Sequence, residues 1–270
     1  MTDRYAVIGN PIAHSKSPLI HAAFAEQTAQ DMSYVAVLAP LDGFAGTVEA
    51  FRDDGGKGMN VTVPFKQEAW KLATRLTERA STAHAVNTLK FDDGIILGDN
   101  TDGAGLVRDI VQNLDFSVAG KRVLLMGAGG AARGVLLPLL AQVPAELMVA
   151  NRTASKALDL QHQFAVYGRV GVSDYASLAG EQFDLVINAT SSSLNDALPP
   201  LPAGIFAPGS LAYDMMYGKG LTAFLSFAEE QGAGRLADGL GMLVEQAAES
   251  FYLWRGVRPA TQQVIARLRA

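Results

Sequence analysis

Two groups of residues in this chain are equipped for chemistry. The first is polar and clusters at turns: Ser15-Lys16-Ser17-Pro18, then Asn60, Thr62 and Lys66 of NVTVPFK, then Asn87-Thr88, then Asn100-Thr101-Asp102-Gly103. Hydroxyls, amides, lysine and one carboxylate suit a small, polyhydroxylated, anionic molecule. Each residue also has a plain structural use. Ser17 before Pro18 makes a helix N-cap with proline at the first helical position. Asp102, ahead of Leu106, Ile110 and Leu114, can cap a helix, and Lys66 after Pro64 can be a solvated first-turn lysine. Residue type alone leaves both uses open.

The second group is a glycine turn. Gly127-Ala128-Gly129-Gly130-Ala131-Ala132 fits GxGxxG/A, follows the strand-like RVLLM and opens an apolar helical run from Ala131 to Leu140. That is the context a dinucleotide site requires. Gly127 permits the tight turn, Gly129 lets backbone approach a pyrophosphate, and Ala132 keeps helix and strand close. Free N–H groups and the helix dipole attract the phosphates. The next strand, ELMVA, ends in Asn151-Arg152-Thr153, with no carboxylate to bond a ribose 2′-hydroxyl. Arg152 offers a fork suited to phosphate, and Lys156 adds a charge four residues on. Cations at a helix start oppose the dipole, so the 2′-phosphate of NADP accounts for them better than solvation does.

These residues need a scaffold, and short apolar runs alternate with helical patterns along the whole chain. Tyr5–Ile8, Tyr34–Leu38, Met59–Val63, Val123–Met126, Leu147–Ala150, Leu185–Asn188 and Leu211–Tyr213 read as strands. The alternation predicts an α/β fold with mostly parallel sheets. A composition change near residue 101 divides the chain. Residues 1–101 form the first domain, 102–237 the nucleotide domain and 238–270 a last helical element. In that element Leu240, Leu243, Val244, Ala247, Ala248 and Phe251 follow the spacing of an amphipathic helix, whose partner domain the spacing does not choose.

Composition removes other classes. The chain has 270 residues, 49% hydrophobic and 18% charged, so it can bury a sizeable core. A net charge of −5 offers no general footprint for nucleic acid or anionic lipid. No cysteine is present, which excludes disulfides, thiolate metal sites and a cysteine nucleophile. His14, His21, His84 and His162 are scattered without metal-ligand spacing, so no metal is expected. The apolar stretch from Val123 to Val143 is broken by glycines, Arg133 and Pro138, and reads as strand, turn and buried helix rather than a membrane span. No secretory leader pattern opens the chain, so a cytoplasmic protein is expected. Monomer and homodimer are equally compatible with these features.

The ordered motifs GNPIAHSKSP, NVTVPFK, AVNT, GDNTDG, GAGGAAR, NRT, NATS, the run Tyr213-Asp214-Met215-Met216-Tyr217 and DGLGMLVEQA resemble the shikimate dehydrogenase family over nearly the full length. The resemblance implies an N-terminal α/β substrate domain, a doubly wound Rossmann-type NADP domain, and C-terminal helices that return to the substrate domain. It implies reversible reduction of 3-dehydroshikimate to shikimate by NADPH, within aromatic amino-acid biosynthesis. Ser15 and Ser17 are implied as carboxylate contacts, with Thr62, Asn87, Tyr217 and Gln246 also on substrate. Lys66 and Asp102 are implied beside the reacting oxygen. Gly127, Ala128, Gly129, Gly130 and Ala131 are implied at the pyrophosphate, Asn151, Arg152, Thr153 and Lys156 at the adenosine end, and Met215 and Gly239 near the nicotinamide. Gly239 and Gln246, seven residues apart, share one face of the last helix, and glycine there permits close approach of a ligand. The family commonly has arginine where Lys156 stands, and lysine lacks the planar fork. Ketone reduction needs a proton donor at the developing alkoxide. No suitable histidine lies in the motifs, so Lys66 is expected as acid/base and Asp102 as its partner. The rivals are a quinate-oxidising paralogue, which the cation cluster after ELMVA disfavours, and a silent NADP sensor, which the intact Lys66–Asp102 pair disfavours.

Overall fold

A computed structural model describes residues 2–190 and 198–270. The chain forms two compact units, residues Met1–Gly105 with Leu243–Ala270, and residues Leu106–Met242. Each carries its own six-stranded sheet.

In the first unit the chain runs β1 (Asp3–Gly9), α1 (Ser17–Gln27), β2 (Met32–Leu38), α2 (Phe44–Asp53), β3 (Gly56–Val61), α3 (Lys66–Leu72), β4 (Arg75–Leu76), α4 (Glu78–Ala83), β5 (Thr88–Asp92) and β6 (Ile95–Asp99). The strand order is β2-β1-β3-β5-β6-β4. β1 pairs in parallel with β2 and β3, but β3–β5 and β5–β6 are antiparallel. β4 is again parallel to β6, so this sheet is mixed, while the pairings of the two sheets together are mostly parallel, as expected. The β5–β6 reversal is local: Asp93 and Gly94 both adopt positive φ, 42° and 81°, the turn that folds two strands back on each other. Aspartate followed by glycine between two apolar runs is the sequence signal for it.

α5 (Asp102–Arg108) leaves the first unit and continues into a π-helical turn over Asp109–Asn113. The second unit then runs β7 (Arg122–Met126), α6 (Gly130–Leu140), β8 (Glu146–Ala150), α7 (Ala154–Phe164), β9 (Gly171–Ser173), β10 (Phe183–Asn188), β11 (Phe206–Asp214), α8 (Ala223–Glu230) and β12 (Arg235–Ala237). Its sheet, β12-β11-β10-β7-β8-β9, pairs in parallel throughout. Leu125 and Val123 join one hydrophobic cluster, Leu124 and Met126 another. A strand buried on both faces must be apolar at every position, which is why RVLLM reads as a continuous run. Strand order reverses between β7 and β10. Ligands of doubly wound sheets bind at the carboxyl ends of the strands flanking that point.

α9 (Leu240–Arg255) crosses back and α10 (Gln262–Arg269) ends the chain. The division between the units runs inside α5 and α9, a few residues beyond the expected crossings at 101 and 238. Val244, Ala247, Ala248 and Phe251 of α9 are fully buried against Ile20 and Phe24 of α1, which supplies the partner that periodicity left open. Burying a side chain of the size of Phe251 contributes about 1.5–3 kcal/mol, enough to fasten the C-terminal helices to the first unit.

Candidate active site

Lys66 is the first residue of α3, where a cation opposes the helix dipole. Its placement is explained by Asp102, the first residue of α5, whose Oδ2 accepts from Lys66 Nζ at 2.6 Å. The pair is partly buried, with side-chain exposures of 33% and 15%. Asp102 is not the cap of its helix, as its position allowed. It is the first residue inside the helix, and its own N–H donates to Asn100 Oδ1 at 3.1 Å, while its carboxylate is turned to other partners.

The other Asp102 oxygen, Oδ1, accepts from Asn87 Nδ2 at 2.8 Å. Asn87 is aimed from behind. Its own Oδ1 receives the Thr101 N–H at 2.8 Å and the Thr88 hydroxyl at 3.0 Å. Its two amide protons face three acceptors: Asp102 Oδ1, Thr101 Oγ1 at 2.9 Å and Gln246 Oε1 at 3.2 Å. Gln246 spends one amide proton on the Leu243 carbonyl at 2.8 Å. The fold thus brings Lys66, Asp102, Asn87 and Gln246 into one hydrogen-bonded cluster within the first unit.

Ser15 and Ser17 lie in the loop after β1 and at the start of α1. The Ser17 N–H donates to Ser15 Oγ at 3.3 Å. Lys16 occupies the N-cap position without a side-chain bond, so the capping use of Ser17 does not hold. The Ser17 hydroxyl instead meets Tyr34, whose O–H donates to Asn60 Oδ1 at 2.7 Å. Thr62 follows β3, and its N–H donates to the Ile8 carbonyl at 3.0 Å, which places it beside the end of β1. Tyr217 belongs to the second unit, in the turn after β11.

A buried amide supports this cluster. Asn60 Oδ1 accepts from Tyr34 and from His21 Nε2 at 3.1 Å, while its Nδ2 donates to Ser250 Oγ at 2.9 Å and Thr88 Oγ1 at 3.1 Å. Burial pushes His21 down to about 3, and the Asn60 bond only partly opposes it. His21 is therefore neutral, stacked on Tyr34 with ring centroids 4.2 Å apart. Tyr34 and Ser250 carried no signal in their immediate sequence. The nearest one for Ser250 is its position one helical turn after Gln246.

In the second unit, the glycine turn has the shape expected of it. Gly127 has φ +104° and lies against the Ala189 carbonyl, 3.2 Å from where a Cβ would stand. Around Gly129 and Gly130 a Cβ would meet nothing within 4 Å. Gly129, Gly130 and Ala131 are exposed, and no side chain caps α6. An uncapped first turn with open space before it is a cradle for phosphate oxygens. Asn151, Arg152 and Thr153 follow β8, and Lys156 lies in the first turn of α7, which holds no acidic residue. Arg152 and Lys156 are exposed. Among the described residues neither forms an ion pair. These groups fit a dinucleotide bearing a 2′-phosphate.

Met215 follows β11. Gly239 lies so close to it that a Cβ would stand 2.2 Å from the Met215 carbonyl oxygen. The demand for glycine at 239 therefore comes from protein backbone. Of the NATS motif, Ser191 lies outside the described residues. No group of three or more His, Asp or Glu able to hold a metal occurs among the described residues.

Three family models match the chain: the shikimate dehydrogenase substrate binding domain over residues 7–89, shikimate/quinate 5-dehydrogenase over 106–195, and the shikimate 5′-dehydrogenase C-terminal domain over 239–269. A shikimate dehydrogenase (NADP(+)) of Nitrosospira multiformis is 68% identical over 100% of this chain and 98% of its own length. Among solved structures, an Ael1 enzyme from Pseudomonas putida is 55% identical, with TM-score 0.95 and coverage of 99% of this chain and 98% of its own. A Thermus thermophilus shikimate 5-dehydrogenase, determined in complex with NADP(H) and shikimate, is 31% identical, with TM-score 0.88 and coverage of 99% of both chains. Similarity of this depth over the whole length shows that the chain belongs to the shikimate dehydrogenase family.

Proposed function

We propose that this chain catalyses the reversible reduction of 3-dehydroshikimate to shikimate with NADPH, in aromatic amino-acid biosynthesis in the cytoplasm. The first unit binds the substrate and the second the cofactor. The observation that carries the reading is the Lys66–Asp102–Asn87 cluster. No helix is long and apolar enough to cross a membrane, among the described residues.

When bound, the reduced nicotinamide supplies a hydride, and all remaining demands fall on the chain. Lys66 Nζ has three N–H donors, and Asp102 engages one. The remaining donors serve the reacting oxygen, first as a ketone and then as the developing alkoxide, to which Lys66 delivers a proton. In the oxidative direction Lys66 takes the proton back. Asp102 holds Lys66 through Oδ2, is held by Asn87 through Oδ1, and keeps lone pairs to receive a substrate hydroxyl. Asn87 has its protons engaged within the protein, so it serves by fixing Asp102 as well as by bordering the substrate. Ser15 and Ser17 receive the substrate carboxylate, and Thr62, Gln246 and Tyr217 its remaining polar groups. Gly127 to Ala131 hold the pyrophosphate through backbone N–H groups. Asn151, Arg152, Thr153 and Lys156 hold the adenosine end, and Met215 and Gly239 lie near the nicotinamide.

The test is initial-rate kinetics with shikimate and quinate, each with NADP and NAD. Turnover led by shikimate with NADP is expected. Faster turnover of quinate, or none with either acid, refutes the assignment.

A further inference from the structure

Asp214 ends β11, beside Asn188 at the end of β10, at the carboxyl edge of the Rossmann sheet. Both are fully buried. Donors converge on the Asp214 carboxylate. The Met216 N–H reaches Oδ1 at 3.0 Å, the Thr222 hydroxyl reaches Oδ2 at 2.6 Å, and Asn188 Nδ2 lies 3.3 Å from both oxygens. The turn that follows is fastened at each peptide. Met215 N–H donates to the Asn188 carbonyl and Gly239 N–H to the Met216 carbonyl, both at 3.0 Å. Asn188 also fixes the neighbouring loop, since its Oδ1 accepts from the Thr190 N–H at 3.1 Å and the Thr190 hydroxyl at 2.7 Å. Thr190 and Ala189 in turn lie against Gly127.

We propose that Asp214 is a positioning residue for the nicotinamide end of the cofactor, acting through the Met215–Met216 turn. The proposal rests on the reading that Met215 meets the nicotinamide. Its physical basis is the sign of the groups involved. A carboxylate only accepts, so it satisfies several converging donors at once. An amide of the same shape presents two N–H groups and sets at least one of them against a donor. A buried unmet donor is costly, and movement of the turn carrying Met215 and Met216 relieves it.

The experiment is equilibrium binding by titration calorimetry, using the full chain as wild type and as Asp214→Asn. The ligands are NADP+ and 2′-phospho-ADP-ribose, the same molecule without its nicotinamide. Wild type should bind NADP+ more tightly than the fragment. In Asp214→Asn that preference should shrink by about 10-fold, the loss expected for disturbed contacts of hydrogen-bond strength. The Kd of the fragment should stay at its wild-type value. If Asp214→Asn fails to fold, Asn188→Ala removes the amide donor to the same carboxylate and should move the preference in the same direction. Equal weakening of both ligands would make Asp214 a residue of general stability and overturn the proposal. An unchanged preference in a folded variant overturns it too. A wild type that binds both ligands equally removes instead the Met215 reading, and the proposal with it.

Discussion

Replacing Asp102 by Asn changes one heavy atom and separates the catalytic reading from the structural one. The carboxylate lies between two donors, Lys66 Nζ at 2.6 Å from Oδ2 and Asn87 Nδ2 at 2.8 Å from Oδ1. An amide satisfies only one of them. With its oxygen toward Lys66 its N–H groups face the Asn87 amide, and flipped they face the ammonium. One hydrogen bond to a charged group is lost, about 1.5–3 kcal/mol where fully buried. The side-chain exposures of 33% and 15% reduce this through solvent screening, and the ion pair adds little. We expect a stability loss of about 1–2 kcal/mol, seen as a fall in Tm of about 2–4 °C per kcal/mol. Helix α5 should be spared, because the Asp102 carboxylate bonds Lys66 and Asn87 rather than N–H groups of its own helix. Turnover should fall much further, by roughly 10²–10⁴-fold, because the group orienting the proton donor is gone. The assay follows NADPH absorbance in both directions, beside thermal unfolding of the same preparations. A folded variant with near-wild-type kcat would refute the role given to Asp102.

Lys66→Ala should lose roughly 10²–10⁴-fold in kcat while NADPH affinity, read by fluorescence titration, stays near wild type; retained turnover would displace Lys66 as the acid/base. Arg152→Ala should lower kcat/KM for NADP by about 10- to 150-fold and leave NAD nearly unchanged, with the gap narrowing as salt is added; equal losses for both cofactors would make Arg152 structural. His21, pushed by burial from 6.5 to about 3, is neutral when folded and takes up a proton when unfolded below about pH 6.5. Its contribution is therefore present above pH 6.5 and is lost as pH falls toward 3, at up to about 1.4 kcal/mol per pH unit. Urea unfolding at pH 7 and pH 5 should show a smaller stability difference for His21→Phe than for wild type; an equal difference would mean that His21 is not the group being protonated.

Some of this protein is determined within short windows of sequence. A strand buried on both faces must be apolar throughout, so RVLLM announces β7, and the glycine turn after it must precede a helix because residues 131–140 repeat apolar positions at helical spacing. The spacing along α9 likewise marks its buried face. A missing carboxylate after β8 and cations at the next helix start are chemical facts that need no coordinates. Edge strands behave differently. β4 has two residues, β9 and β12 three each, and segments that short hold their conformation by pairing with a neighbour, not by their own pattern. The hairpin β5–β6 does carry a local signal, Asp93-Gly94 between two apolar runs.

What only the tertiary structure decided is which polar residues work together. Asn87 and Gln246 are 159 positions apart, and Asn60 and Ser250 190 apart, yet each pair is hydrogen-bonded. Ser17, Asp102 and Lys66 each had a sound local reading as cap or solvated residue. Local sequence cannot reject it, because a hydroxyl or carboxylate at a helix start is favourable whatever else it touches. The choice falls to partners delivered by distant strands and helices. Lys16 stands at the cap of α1, Asn100 receives the Asp102 N–H from outside α5, and Lys66, set against the dipole, meets the Asp102 carboxylate.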